Sequence, residues 1–379
     1  MNHHPQAHRP RIEWMDLVKG TTVLVVVLFH SVVHMAAVTK QDNVSTIWHT
    51  AMMVLEPMRM PLFFMVSGML AAGAVSRPWR FSRRRTYGMA YLYVMWSAIF
   101  FTVVAFYINS SWLSSLAQFP RELLLGSSGY WYLYALLIYF VLAKVLSRWP
   151  AWIVIVIVIV PNLLRASVAQ WNRDYLIDID SGSMMTSIAT NLVFYLIGAY
   201  YKELLAKITD YASWLRVSVI LAAVIAFGIW RSTMPSLWEQ TYLPISLAWI
   251  VGGVMAAHLL VQYEGPRRFG TFFGAHTLPI FVVQFPLLMG LSSYLHNNQP
   301  EFMHNPFVQL VFPIVVTTAF VAIALAVYRA TLNNPGKYLF EAPKWVIREH
   351  VQASSEMSAS MSPTVRERRT TAPAPQSSR

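Results

Sequence analysis

The chain has 379 residues, 56% of them hydrophobic and only 12% charged, where a soluble domain carries roughly 25% charged residues. It has no cysteine, which excludes disulfides, thiol catalysis and Cys-ligated metals. The formal net charge is +12, but the basic residues gather in loops between apolar runs, so membrane topology explains them and a nucleic-acid partner is not implied.

A helix needs roughly 20 mostly apolar residues to cross the ~30 Å hydrocarbon core. Segments 17–38, 48–74, 87–108, 129–147, 151–168, 186–203, 214–232, 241–261, 271–291 and 306–330 meet or approach that requirement. The expected fold is therefore an all-α integral membrane bundle of about ten transmembrane helices, multi-pass in the plasma membrane. The first apolar stretch is too long for a removable signal peptide and carries two histidines. Pro161 and Arg165 interrupt the fifth segment.

If the N-terminus is cytoplasmic, all but six of the 29 Lys and Arg residues lie on the inner side, the exceptions being Lys40, Arg59, Arg121, Arg165, Arg173 and Arg231. The positive-inside rule then puts both termini in the cytoplasm. The chain divides into a cytoplasmic segment 1–16, the helical domain 17–330, a juxtamembrane basic segment 331–351 and a tail 352–379. That tail has too few large apolar residues to offset its ordering entropy and reads as disordered, with its basic residues near anionic membrane lipids. His3, His4 and His8 read as part of a polar arm; no metal site is expected.

Ionisable and polar groups within a span are costly, so each is a candidate for function. His30 and His34 share one face of the first helix. His30 lies eleven residues after Lys19, about 16 Å along a helix. The second helix carries Glu56, Arg59 and Ser67, and Glu56 and Arg59 are spaced to pair along it. Gln284 lies mid-way along the ninth segment, and Asn191 and His258 read as packing residues. Tyr130 and Trp131 open the fourth helix, either as an interfacial belt or as the lining of a sugar-sized opening. A neutral imidazole suits general-base work near pH 7. His30 can take the proton from a hydroxyl, with Arg59, Ser67 or Gln284 as the oxyanion donor. The alternative for His30 is a packed, structurally bonded histidine; for Glu56 and Arg59 it is a self-neutralising pair. Ser67 can equally serve close helix packing beside Gly68.

Four segments in order resemble the acyltransferase 3 family of membrane proteins, over about residues 11–330. Arg11 to Gly20 (RIEWMDLVKG) is similar to the family's opening, and Lys19, ten residues and His30 match its basic-x10-His pattern. Arg59 to Leu70 (RMPLFFMVSGML) resembles the segment MPLFFFLSGFL, followed by a matching Arg-rich inner loop. Tyr130 to Leu133 with Tyr139 resembles the fourth-helix pattern, and Phe273 to Phe281 resembles the ninth. Two positions depart from the pattern: Gln284 stands where His is common, and Gly88 where a second Arg is usual.

The resemblance implies an O-acyltransferase in which His30 is essential. It implies an acyl-CoA donor, usually acetyl-CoA, and a hydroxyl acceptor on a carbohydrate or glycolipid of the cell envelope. Arg80, Arg83 and Arg85, with Lys19, are the expected partners of the donor's phosphates. His34, Glu56, Tyr130, Trp131 and Gln284 are the expected substrate contacts. The rival class is a transporter or flippase of an envelope lipid or polysaccharide intermediate. It is weakened by the lack of matched broken helices in the two halves.

Overall fold

A chain whose peptide groups meet hydrocarbon must satisfy its hydrogen bonds within each segment, which leaves helices as the economical solution. The computed structural model describes residues 12–36, 43–107, 119–121, 123–126, 128–175, 179–234, 239–298 and 300–347, and their regular structure is all helical. His3, His4, His8 and the tail 352–379 lie outside the described residues. So do parts of the 109–128 and 169–185 loops.

The helices run α1 (Glu13–Ala36), α2 (Asn43–Val75), α3 (Tyr87–Tyr107), α4 (Trp131–Leu146), α5 (Ala151–Val158), α6 (Val160–Leu163), α7 (Arg165–Tyr175) and α8 (Ile179–Tyr200). They continue as α9 (Lys202–Ile208), α10 (Trp214–Ser232), α11 (Tyr242–Leu260), α12 (Glu264–Ala275), α13 (Thr277–Asn298), α14 (Pro306–Thr331) and α15 (Lys344–Ile347). Among the described residues, seven helices are long and apolar enough to cross a membrane: α1, α2, α3, α10, α11, α13 and α14. The bent run α5–α7 meets the same requirement only when its two parts are taken together as one broken span, and α4 and the Met184–Tyr200 part of α8 are shorter apolar helices. The chain is a multi-pass membrane protein.

Two expected spans differ in form. The fifth is broken, with a 65° bend between Ala151–Leu163 and Arg165–Trp171. Pro161 begins the interruption by removing a backbone donor, and the bend after Leu164 directs Arg165 into the bundle rather than toward lipid. The ninth, expected at 271–291, is two helices parted at His276. Pro279 has no N–H for the carbonyl of Ala275, so a continuous helix would lose that bond. The chain instead restarts at Thr277 with the proline in its first turn, where no intrahelical donor is required.

Glycines set the closest crossings. A Cβ on Gly68 would lie 2.0 Å from the carbonyl oxygen of Tyr195, and one on Gly198 would lie 2.0 Å from that of Met65. The backbones of α2 and α8 therefore touch reciprocally, as small residues permit in lipid. On the other side of the bundle Gly270 and Gly274 seat α12 against α1; their Cβ atoms would meet Leu17 Cα at 2.7 Å and Asp16 O at 2.5 Å. These two seams hold α1 and α2, which carry the polar residues, in the middle of the protein.

One end of the bundle is basic. It holds Lys19 near the start of α1 and Arg84 and Arg85 just before α3. There Lys144 Nζ caps the C-terminus of α2 by donating to Ala74 O at 3.0 Å, to Val75 O at 3.2 Å and to Arg77 O, a placement that also suits the helix dipole. The segment read from sequence as a juxtamembrane stretch, 331–351, folds back at this end as far as residue 347. Asn334 Oδ1 accepts from Gly336 N at 2.8 Å and starts a 3-10 turn over Pro335–Leu339. Trp96 Nε1 donates to Leu339 O at 2.7 Å, and the Tyr91 hydroxyl donates to Tyr338 O at 3.2 Å. Phe340 is buried between the rings of Trp96 and Tyr328.

Candidate active site

Glu56, Arg59, Phe63 and Ser67 follow one another at helical spacing, so a single stripe of α2 carries them. That stripe borders two cavities. The first, of about 710 Å³, opens at the basic end and is bounded by Lys19, Ser67, Arg84, Arg85, Tyr132 and the folded-back segment from Phe340 to Ile347. The second, of about 630 Å³, lies toward the other end of α1 and α2, between Phe29, Glu56, Arg59, Trp131 and Arg165. Trp131 and Tyr132 are neighbours on α4, yet one faces each cavity. From Arg59 to Ser67 is about 12 Å along α2, so the partition between the cavities is thin.

At the basic end Ser67 Oγ donates to Phe63 O at 2.8 Å and accepts from the Tyr132 hydroxyl at 2.9 Å. Its one hydrogen is thereby committed. Phe63 stacks on Tyr132 at 4.8 Å and 9°. Lys19 pairs with Asp16 at 2.8 Å. Arg85 donates to Leu70 O at 2.7 Å while lining the cavity beside Arg84. Arg80 and Arg83 are not on its wall: their guanidinium groups lie over Phe81 at 4.8 Å and Tyr87 at 5.9 Å.

At the far end Arg59 places its guanidinium 3.6 Å over the Phe29 ring. Its Nη1 is buried with no hydrogen-bond partner among the described residues. The Glu56 carboxylate does not pair with Arg59, as its spacing suggested. Its ion pair is with Arg165, at 3.3 Å from Nη2. Arg165 Nε also bonds the carboxylate of Glu239, and the guanidinium lies 3.6 Å over the Tyr242 ring. The broken fifth span is what brings Arg165 here. Sequence reading treated Arg165 as an interruption; the cost of a guanidinium within a span was the signal that it belongs to a buried network.

His30 is half-buried beside the partition. Its ring meets Phe285 edge-on at 4.9 Å and Phe29 at 5.1 Å. It lies within electrostatic reach of Arg59 and His34, and its ring is not on the wall of either cavity. His34, about one turn further along α1, is half-buried too. Gln284 is 0% exposed, and both of its amide atoms have no partner among the described residues. Buried polar atoms are nearly always satisfied, so Arg59 and Gln284 hold unused hydrogen-bond donors inside the bundle. Tyr130 differs from its expected place at an opening. It is fully buried, its hydroxyl donates to Val282 O at 2.7 Å, and it pins α4 to α13. Trp131 keeps its place on a cavity wall.

The chemistry available is thus a cation-lined cavity at one end, a polar cavity at the other, and an imidazole with spare donors near their partition. The acyltransferase domain model matches residues 12–329. The inner membrane protein YcfT of Escherichia coli (strain K12) is 24% identical, over 87% of this chain and 96% of its own. No solved structure matches. The match spans nearly all the described helices and the whole lining of the far cavity; residues 340–347, which complete the wall of the basic-end cavity, lie beyond it. This chain belongs to the acyltransferase 3 family.

Proposed function

We propose that this protein is a plasma-membrane O-acyltransferase that moves an acyl group, an acetyl in the simplest case, from coenzyme A to a hydroxyl of an envelope glycan or glycolipid. The observation that carries this reading is the pair of cavities meeting along one stripe of α2, one walled by Lys19, Arg84, Arg85 and Lys344 with a single carboxylate, the other mixing Arg59 and Arg165 with Glu56. A polyanionic donor fits the basic end, where guanidinium forks match phosphate. The wall there turns aromatic further in, at Phe63, Tyr132 and Phe281, and suits the pantetheine arm. The far cavity combines Trp131 with Glu56 and Arg59, a mix of flat apolar surface and hydrogen-bonding groups that suits a sugar.

In this reading the basic end faces the cytoplasm, where acyl-CoA is found. His30 takes the proton from the acceptor hydroxyl, and the resulting oxygen nucleophile attacks the thioester carbon. Arg59 holds the developing oxyanion; it has an unused donor and lies within reach of His30. The carbon–sulfur bond then breaks, and the departing coenzyme A thiolate takes the proton back from the imidazolium. The products are an ester and free coenzyme A. Ser67, whose hydrogen is committed to Phe63 O, orients Tyr132 rather than the oxyanion. His30 is packed edge-on against Phe29 and Phe285, so one of those rings turns aside when both substrates are bound.

Mass spectrometry of envelope glycans and glycolipids from wild-type and deletion strains tests the proposal. The expected result is one molecule lighter by an acyl group in the deletion, restored by the wild-type gene and not by His30→Ala. Identical profiles would remove the function.

A further inference from the structure

Four cationic side chains stand on the wall of the basic-end cavity: Lys19, Arg84, Arg85 and Lys344. Three come from the helical domain. Lys344 comes from α15, in the strap that folds back after α14. Nothing in the sequence pattern of the spans marks it. The other cations are partly engaged: Lys19 with Asp16, Arg85 with the carbonyl of Leu70. Lys344 makes no ion pair with any described residue, although it borders a cavity that already concentrates positive charge. Grouping unpaired like charges is unfavourable unless an anion is meant to join them.

The strap's seating is specific. Its backbone is fixed by the indole of Trp96 on Leu339 O and by Tyr91 on Tyr338 O, and Phe340, only 5% exposed, locks it from beneath. Trp345, 75% exposed, projects outward from the same short helix as Lys344, as an interfacial anchor does. One face of the strap thus borders the cavity and the other presents Trp345 outward. A flexible basic tail held only by lipid charge needs none of these contacts.

We infer that the 333–347 strap is a wall of the donor site and that Lys344 is a phosphate-binding residue in it. The inference rests on the donor assignment proposed above. The ligand class is a cytoplasmic acyl donor bearing a pyrophosphate or ribose phosphate. The aromatic and apolar groups further in take the uncharged arm. A donor enters by passing the strap, so the strap's anchoring also sets how fast coenzyme A comes and goes.

The test is calorimetric binding of coenzyme A, and of pantetheine, which lacks the phosphates, to the full chain in detergent. The comparison set is wild type, Lys344→Ala, Lys344→Arg and Trp96→Phe. Lys344→Ala is expected to weaken coenzyme A binding roughly tenfold, the typical loss for one charge-assisted contact, and to leave pantetheine binding unchanged. Lys344→Arg is expected to restore most of the affinity. Trp96→Phe, which frees the strap but keeps every wall cation, is expected to speed coenzyme A dissociation in a stopped-flow displacement. Equal coenzyme A affinity in wild type and Lys344→Ala overturns the inference and leaves the donor assignment standing. Equal weakening of both ligands also overturns it, because the lysine is then structural. A wild-type protein that binds no coenzyme A removes the donor assignment itself, and the strap's role with it.

Discussion

The two cavities differ in how they treat charge. At the far end the guanidinium of Arg165 is held by Glu56, Glu239 and the face of Tyr242, so that charge is neutralised within the fold, while Arg59 beside it rests over the Phe29 ring with Nη1 lacking a partner among the described residues. At the basic end Arg84, Arg85 and Lys344 face the cavity with Glu341 as the one carboxylate on the described wall. A buried pair of charges is costly to separate, whereas unbalanced cations on a wall invite an anion from outside. Charge around Arg165 is used for packing, whereas the cations of the basic-end wall are open to an outside anion; under the proposed function the acceptor takes the former cavity and the donor the latter.

Substitutions at matched positions can break that distinction. The largest effect is expected at the far end. Glu56→Leu leaves Arg165 with Glu239 alone and is expected to cost about 3–5 kcal/mol, seen as a large fall in thermal unfolding temperature in detergent. Glu341→Leu, an exposed acid at the basic cavity, is expected to change stability by less than about 0.5 kcal/mol. Next comes the seam between α2 and α8. Gly68→Ala forces a Cβ onto the carbonyl of Tyr195 and is expected to cost about 2–3 kcal/mol. Gly253→Ala meets only the side-chain end of Leu62, with Cδ2 at 3.2 Å and Cδ1 at 3.8 Å, and should be mild in the same melt.

Smaller effects sharpen the donor assignment. Arg85→Ala is expected to weaken coenzyme A binding about tenfold by calorimetry. Arg80→Ala, whose guanidinium lies over Phe81 off the wall, should leave it nearly unchanged. The smallest change is expected for Ser67→Ala. It takes away the acceptor of the Tyr132 hydroxyl and should lower acyl transfer only a few-fold, about 1 kcal/mol. A loss of a hundredfold or more would instead return Ser67 to the reacting centre.

The helical membrane bundle was legible from sequence because lipid imposes long apolar runs, but of about ten expected spans seven helices are long and apolar enough among the described residues, and α1 and α2 begin four and five residues before the positions read from sequence. The stripe Glu56, Arg59 and Ser67 was legible for the same reason, since polar groups stand out against such runs. What escaped depended on partners remote in sequence. Glu56 chooses Arg165 over its near neighbour Arg59 only because Pro161 breaks the fifth span and turns Arg165 inward. Arg84 reaches the cavity and Arg83 does not because the turn at 83–86 sends adjacent side chains to different sides. Nothing in residues 331–347 announces the docking of Phe340 against Trp96, 244 positions away, since it rests on two backbone carbonyls. Tyr130 read as an interfacial anchor or the lining of an opening by its position at a helix start, but the carbonyl of Val282 holds it in the core.

The proposed mechanism requires His30 to act as the base beside the partition between the two cavities. Purified protein in lipid vesicles, given radiolabelled acetyl-CoA and an envelope glycolipid extract, measures this directly. Wild type is expected to transfer label to the lipid fraction. His30→Ala is expected to bind coenzyme A as wild type does and to transfer label slower by about 10² to 10⁴-fold, the range for loss of a general base. Transfer by His30→Ala at the wild-type rate would contradict the mechanism.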